Sequence, residues 1–90
     1  MARVLIHREI VETGELDTVP RDQLVQALRR LEREPNWGKP LVRELKSCRS
    51  VRLGGSENRL IYRVQGDTIE VLAVGRRREA EVHRDAERRM

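Results

Sequence analysis

"CRSVRLGGSENRLIYRVQGDTIEVLAVG", residues 48–75, decides the fold. Val51 and Leu53 alternate with Ser50 and Arg52. Leu60, Tyr62 and Val64 alternate with Arg59, Ile61 and Arg63. A period of two is that of a strand with one buried face. "GGSE" (54–57) is a turn, and Gly66-Asp67 is a two-residue hairpin turn with glycine first, as a type II′ turn requires. "TIEVLAVG" (68–75) completes a three-stranded meander. With Gly66-Asp67 at the tip, Gln65 opposes Thr68. Leu60, Tyr62 and Val64 then face Ala73, Val71 and Ile69, and Arg63 faces Glu70 as an opposite-charge pair. A slip of one residue loses both sets. Across the earlier turn Leu53 opposes Asn58, so Arg52 opposes Arg59. Like charges opposite each other on a sheet are unfavourable. The pair reads as an anion site or as two long side chains that avoid each other in solvent.

The first half is plainer. "ARVLI" (2–6) is a short apolar run of strand type. "HREIVETGELD" (7–17) suits one or two helical turns, with Gly14 against a long helix. Pro20 or Arg21 opens a helix with Thr18 as a nearby cap, and Leu24, Val25, Leu28 and Leu31 form its apolar stripe. Pro35 stops it, "PNWGKP" (35–40) is a loop, and "LVREL" (41–45) leads into the meander. Residues 78–89 suit a short C-terminal helix, with Val82 and Ala86 spaced to touch the sheet. The expectation is one α+β domain over residues 1–90. It has a small antiparallel sheet, made of the N-terminal strand plus the meander, with N-terminal helices packed on one face and a short C-terminal helix.

Composition narrows the function. Trp37 and Tyr62 are the aromatic residues, so Leu, Val and Ile must fill the core. Residues 1–45 hold eight basic and eight acidic residues, and residues 46–90 hold eleven and seven; the net +4 lies in the second half. Apart from Lys39 and Lys46 the basic residues are all arginine. Arginine is the side chain suited to bidentate phosphate contacts. No apolar stretch reaches the roughly 18–20 residues that span a membrane, and "MARVLIHREI" lacks an apolar signal region. The chain therefore reads as cytosolic. Cys48 is alone, which excludes a disulfide framework or a cysteine metal cluster; it reads as a small buried hydrophobe. His7 has no partner at metal-ligand spacing and reads as structural or exposed. Trp37 reads as an anchor of a satellite core, and Tyr62 as core.

"LAVGRRREAEVHR" (72–84) ends a buried strand in Arg76, Arg77 and Arg78, with His83 five residues later. In the second half, His83 alone has a reference pKa near neutrality. Strict alternation puts Leu72, Val74 and Arg76 on the Arg59 face; a bulge or turn at Gly75 would bring Arg77 there instead.

Residues 39–90 resemble the C-terminal half of a RelE-type toxin of the RelE/ParE superfamily of bacterial toxin–antitoxin systems. The resemblance rests on Leu45-Lys46, "SVRL", "RLIYRV", "VLAVGRR" and "EVHRDAERR" in that order. It implies mRNA cleavage in the A site of the 70S ribosome, a cognate antitoxin partner, and no metal or other cofactor. It also implies roles for particular residues. Arg52, Arg59 and Arg77 would be active-site arginines. His83 would stand where RelE has a catalytic tyrosine. Ser50 departs from a family lysine, which puts in doubt the basic cluster thought to help deprotonate the nucleophile. Lys46, Arg49, Arg76 and Arg78 would contact RNA phosphates. In such cleavage the 2′-hydroxyl attacks the adjacent phosphate and expels the 5′-oxygen, so the site must align it, neutralise a phosphorane and move two protons. The competing readings are a ParE-like inhibitor of DNA gyrase and a non-catalytic member of the fold.

Overall fold

The computed structural model describes residues 1–54, 57–75 and 79–90. The elements run β1 (Arg3–Ile6), α1 (Arg8–Glu12), a 3₁₀ turn (Glu15–Thr18), α2 (Arg21–Arg33), β2 (Lys39–Pro40), a second 3₁₀ turn (Arg43–Leu45), β3 (Cys48–Arg52), β4 (Arg59–Gln65), β5 (Thr68–Gly75) and α3 (Glu79–Arg89). The five strands lie in the order β1-β5-β4-β3-β2. The meander β3–β4–β5 is antiparallel as expected, whereas β1 joins β5 in parallel, so the sheet is mixed. The strand β2 falls at the end of the stretch 35–40 expected to be loop. Two residues are too few for any periodicity to register.

The hairpin turn is as read. Gly66 has φ 63° and Asp67 does not share the positive φ, the combination of a type II′ turn. From it, Gln65 pairs with Thr68, Val64 with Ile69, Arg63 with Glu70 and Tyr62 with Val71. Arg63 and Glu70 form a half-buried ion pair at 2.7 Å. Arg52 stands opposite Arg59.

The N-terminal segments also have local causes. His7 caps α1: its Nδ1 accepts a hydrogen bond from the Glu9 amide at 3.1 Å. Gly14, with φ 72°, separates α1 from the 3₁₀ turn, a conformation that L side chains resist. Thr18 does not cap α2; its hydroxyl donates to the Glu15 carbonyl at 2.6 Å. Leu24, Ala27 and Leu31 form the buried face of α2, with Leu28 packed beside them. Val25, expected in that stripe, is exposed, because the 3.6-residue turn carries it off the face.

The two sheet faces carry different cores. Under α1 and α2 lie Val51, Leu53, Leu60, Tyr62, Ile69, Val71 and Val74. Under α3 lies a smaller cluster of Leu45, Cys48, Ile61, Leu72, Ala73, Val82 and Ala86. Val82 and Ala86 are fully buried, as the spacing predicts. Burial pushes the Cys48 thiol up from its ordinary value, so it stays protonated at neutral pH, a buried hydrophobe as read.

The switch between those two groups on β5 is a bulge. The register shifts between Ile61 and Tyr62, so that Ile61 pairs with Ala73, Leu60 with Val74 and Arg59 with Gly75. The extra residue is Leu72. The expected pairing of Leu60 with Ala73 therefore fails, and the irregularity sits three residues before Gly75, not at it. Beyond the bulge Val74 returns to the α1/α2 face and Ala73 and Gly75 share a face with Ile61 and Arg59.

Two charged side chains complete the bulge. Arg89, from the last turn of α3, donates to the Leu72 carbonyl at 2.9 Å and to both Glu15 carboxylate oxygens at 2.8 and 3.0 Å. The same Glu15 carboxylate accepts from the Val74 amide at 3.1 Å. Both side chains are buried, at 2% and 9% exposure. At the rim, the hydrogen bond from Arg88 holds the Glu9 carboxyl below the usual carboxylate value.

Removing one member of a buried, hydrogen-bonded ion pair strands the other. Arg89→Met should therefore destabilise the fold by about 3–5 kcal/mol, read as a drop in the urea midpoint at unchanged slope. The surface contact titrates differently. Because the folded Glu9 carboxyl keeps its charge to lower pH than the unfolded one, its contribution is present above the unfolded carboxylate value of about 4.3 and is lost as pH falls through the folded value. Glu9→Gln should flatten the fall of the unfolding midpoint between pH 6 and pH 3.

Candidate functional site

Residues paired across antiparallel strands project to the same side. Ser50, Arg52, Arg59 and Ile61 thus share the α3 face of the sheet. Toward β2 that face is not covered by α3, and a cleft of about 330 Å³ opens there, lined by Lys39, Leu41, Ser50, Val51, Arg52 and Arg59. Its volume is some ten times the roughly 30 Å³ share of one liquid water, so it has room for a phosphate group. Arg52 is exposed and Arg59 half-buried. A second cleft, of about 290 Å³, is lined by Lys39, Pro40, Leu41, Val42 and His83. The two clefts share Lys39 and Leu41. His83 is half-buried on α3, one residue past the buried Val82 that docks the helix.

Tyr62, buried on the other face of the sheet, positions the segment that leads into both clefts. Its hydroxyl donates to the Pro35 carbonyl at 2.7 Å and accepts from the Gly38 amide at 2.8 Å. Burial pushes the Tyr62 phenol up from its ordinary value, so both bonds persist through neutral pH. A Cβ at Gly38 would stand 2.9 Å from the Tyr62 ring and from the Arg49 Cβ, so only glycine fits this approach. The next residues, Lys39 and Pro40, are thereby laid against Ser50 and Arg49 as β2. Trp37 packs against the larger core, as an anchor should, with the Arg30 guanidinium 4.2 Å from its ring centre.

Sequence-derived candidates divide among these places. Arg52, Arg59 and His83 come to the joined clefts. Arg49 does not: alternation turns it to the Tyr62 face, where its guanidinium donates to the Gly38 carbonyl at 2.7 Å and to the Asn36 carbonyl at 3.3 Å. It supports the loop instead of facing the clefts. Lys46 is exposed at the end of the second 3₁₀ turn and lines neither cleft. Arg76, Arg77 and Arg78, including the question of which faces the site, lie outside the described residues. Lys39 was missed. It stands in a Pro/Gly-rich loop with no periodic signal, and only the chain crossing beside β3 gives it neighbours. Among the described residues, no group of three His, Cys, Asp or Glu could hold a metal ion, and no helix is long and apolar enough to cross a membrane.

A small mixed sheet flanked by two N-terminal helices and a returning C-terminal helix, with a basic cleft at one edge, is an architecture shared with a solved E. coli toxin. The sequence profile of the ParE toxin of the type II toxin–antitoxin system parDE matches residues 19–81, more than half of the chain. The chain belongs to that family. Among solved structures, a double arginine-to-alanine mutant of the E. coli toxin RelE in the free state superposes with a TM-score of 0.77 at 23% identity, over 100% of this chain and 99% of that one. The same RelE mutant in complex with an antitoxin RelBc peptide gives 0.68 at 22% identity, over 94% and 93%. The isolated E. coli RelE toxin gives 0.68 at 22% identity, over 99% and 98%. No curated protein matches the sequence.

Opposed arginines on an open face cost little to lose. Arg52→Ala should change unfolding stability by no more than about 0.5 kcal/mol. Inorganic phosphate should raise the melting temperature of the wild-type protein and not that of Arg52→Ala/Arg59→Ala, since only a ligand held by the folded state stabilises it. A differential scanning measurement with and without phosphate reads both.

Proposed function

We propose that this toxin cuts mRNA in the A site of the 70S ribosome, by attack of a ribose 2′-oxygen on the adjacent phosphorus, and that a cognate antitoxin restrains it in the cytoplasm. The observation that carries the reading is the direct opposition of Arg52 and Arg59 on a cleft that shares Lys39 and Leu41 with the one lined by His83. In the reaction the O2′–P bond forms and the P–O5′ bond breaks, leaving a 2′,3′-cyclic phosphate and a 5′-hydroxyl. The 2′-hydroxyl proton must leave and the 5′-oxygen must gain one. Arg52 and Arg59 clamp the phosphate and neutralise the charge that grows on it. Guanidiniums stay protonated, so proton movement falls to His83, as general acid or base. Arg77, two residues past the Gly75 that pairs with Arg59, is the third active-site arginine by family resemblance. Lys46, Arg76 and Arg78 hold RNA backbone. The reading needs no metal. The antitoxin is proposed by analogy with RelE, whose structure with an antitoxin peptide is known.

The ParE family match favours a second reading, the ParE-like one, which by resemblance is inhibition of DNA gyrase. Gyrase poisoning does not require a clamped phosphate beside a proton-transfer residue, which is why cleavage is preferred.

Primer extension on a translated mRNA after induction separates the two: discrete cuts within codons support cleavage, and trapped gyrase–DNA complexes without cuts overturn it. His83→Ala should lower the cleavage rate by about 10²–10⁴-fold with the fold retained. Unchanged cutting by that variant removes His83 from the mechanism.

A further inference from the structure

Lys39 is pinned in place but its side chain is exposed. The Tyr62 and Arg49 hydrogen bonds fix the chain up to Gly38, and Lys39 then pairs with Ser50 across β2–β3. Paired residues share a face, so the lysine stem starts beside the short Ser50 side chain, on the same side as Arg52 and Arg59. Ser50 is too short to fill that space. Among the described residues, Lys39 is also the one charged residue that lines both the arginine cleft and the His83 cleft.

A phosphorane carries more charge than the phosphate it forms from. Fixed cations near its non-bridging oxygens therefore stabilise the transition state more than the ground state. Arg52 and Arg59 approach from β3 and β4. His83 lines the neighbouring cleft, which shares Lys39 and Leu41 with this one. A compact ammonium between them reaches an oxygen that two planar guanidiniums leave open.

We propose that Lys39 is a substrate-contacting residue of this site, its ammonium binding a non-bridging oxygen of the scissile phosphate on the side facing His83. It supplies from β2 the amino group that Ser50 does not supply from β3. The inference rests on the reading of the site as an RNA-cleaving one.

The test is single-turnover cleavage on saturating programmed ribosomes, with antitoxin-free protein. Lys39→Ala should slow cleavage by about 100-fold, the scale of losing one preorganised donor, at an unchanged melting temperature. Lys39→Arg should lose less. Lys39→Ala/Ser50→Lys, which returns an ammonium from the paired position, should recover at least about tenfold of the loss. Cleavage by Lys39→Ala within about threefold of wild type, against that scale, overturns the proposal. So does loss that neither lysine at 50 nor arginine at 39 relieves, which would make Lys39 a support of the loop. If the wild type cuts no RNA, the functional reading fails and the lysine is judged by binding. A short single-stranded RNA made uncleavable by a 2′-deoxy sugar is titrated against the fluorescence of Trp37, the sole tryptophan. Weakening by Lys39→Ala comparable to that of Arg59→Ala supports the contact; unchanged affinity overturns it.

Discussion

The buried pair of Glu15 and Arg89 joins three segments that are far apart in the chain. One carboxylate and one guanidinium tie the first 3₁₀ turn, the bulge of β5 and the last turn of α3 into a single knot. Among the described residues Val82 and Ala86 are the apolar side chains that α3 buries, and Arg88 adds an ion pair to Glu9. Taking two charges out of water costs several kcal/mol for each ion, and an apolar pair of the same size often serves stability better. Here the charges also satisfy the Leu72 carbonyl and the Val74 amide at the bulge, which an apolar pair would leave unbonded. That makes the ion pair hard to replace, and it fixes the helix on which His83 rides.

The bulge then decides what the sheet presents. Before Leu72 the odd-numbered residues of β5 pack under α1 and α2; after it the even-numbered Val74 does. Without the shift, Val74 would stand beside Arg59 on the open face and Ala73 would fall in the larger core. With it, a small glycine, Gly75, lies opposite Arg59 and leaves the arginine room. The cost of opposing two arginines is modest on a face that α3 leaves partly uncovered.

Tyr62 plays the matching part at the other edge. Among the described residues it is at once the largest fully buried side chain and the post on which residues 35–38 hang. Through it the larger core sets the position of β2, and so of Lys39 beside Ser50. Arg49 serves the same loop, its guanidinium donating to the Asn36 and Gly38 carbonyls.

Period-two alternation and a Gly-Asp turn were enough to read β3, β4 and the first half of β5 with their register, because side chains on a pleated strand must alternate and the turn pins the pairs. The same register brought Arg52 opposite Arg59, and helical spacing found Leu24, Leu31, Val82 and Ala86. Only the tertiary structure decided the rest. The Leu72 bulge depends on Glu15 and Arg89, 74 positions apart in sequence; the parallel seat of β1, the short strand β2, and the meeting of Lys39 with His83 likewise depend on segments far apart in the chain. Such features leave no periodic trace, since their cause is a partner that local sequence does not contain.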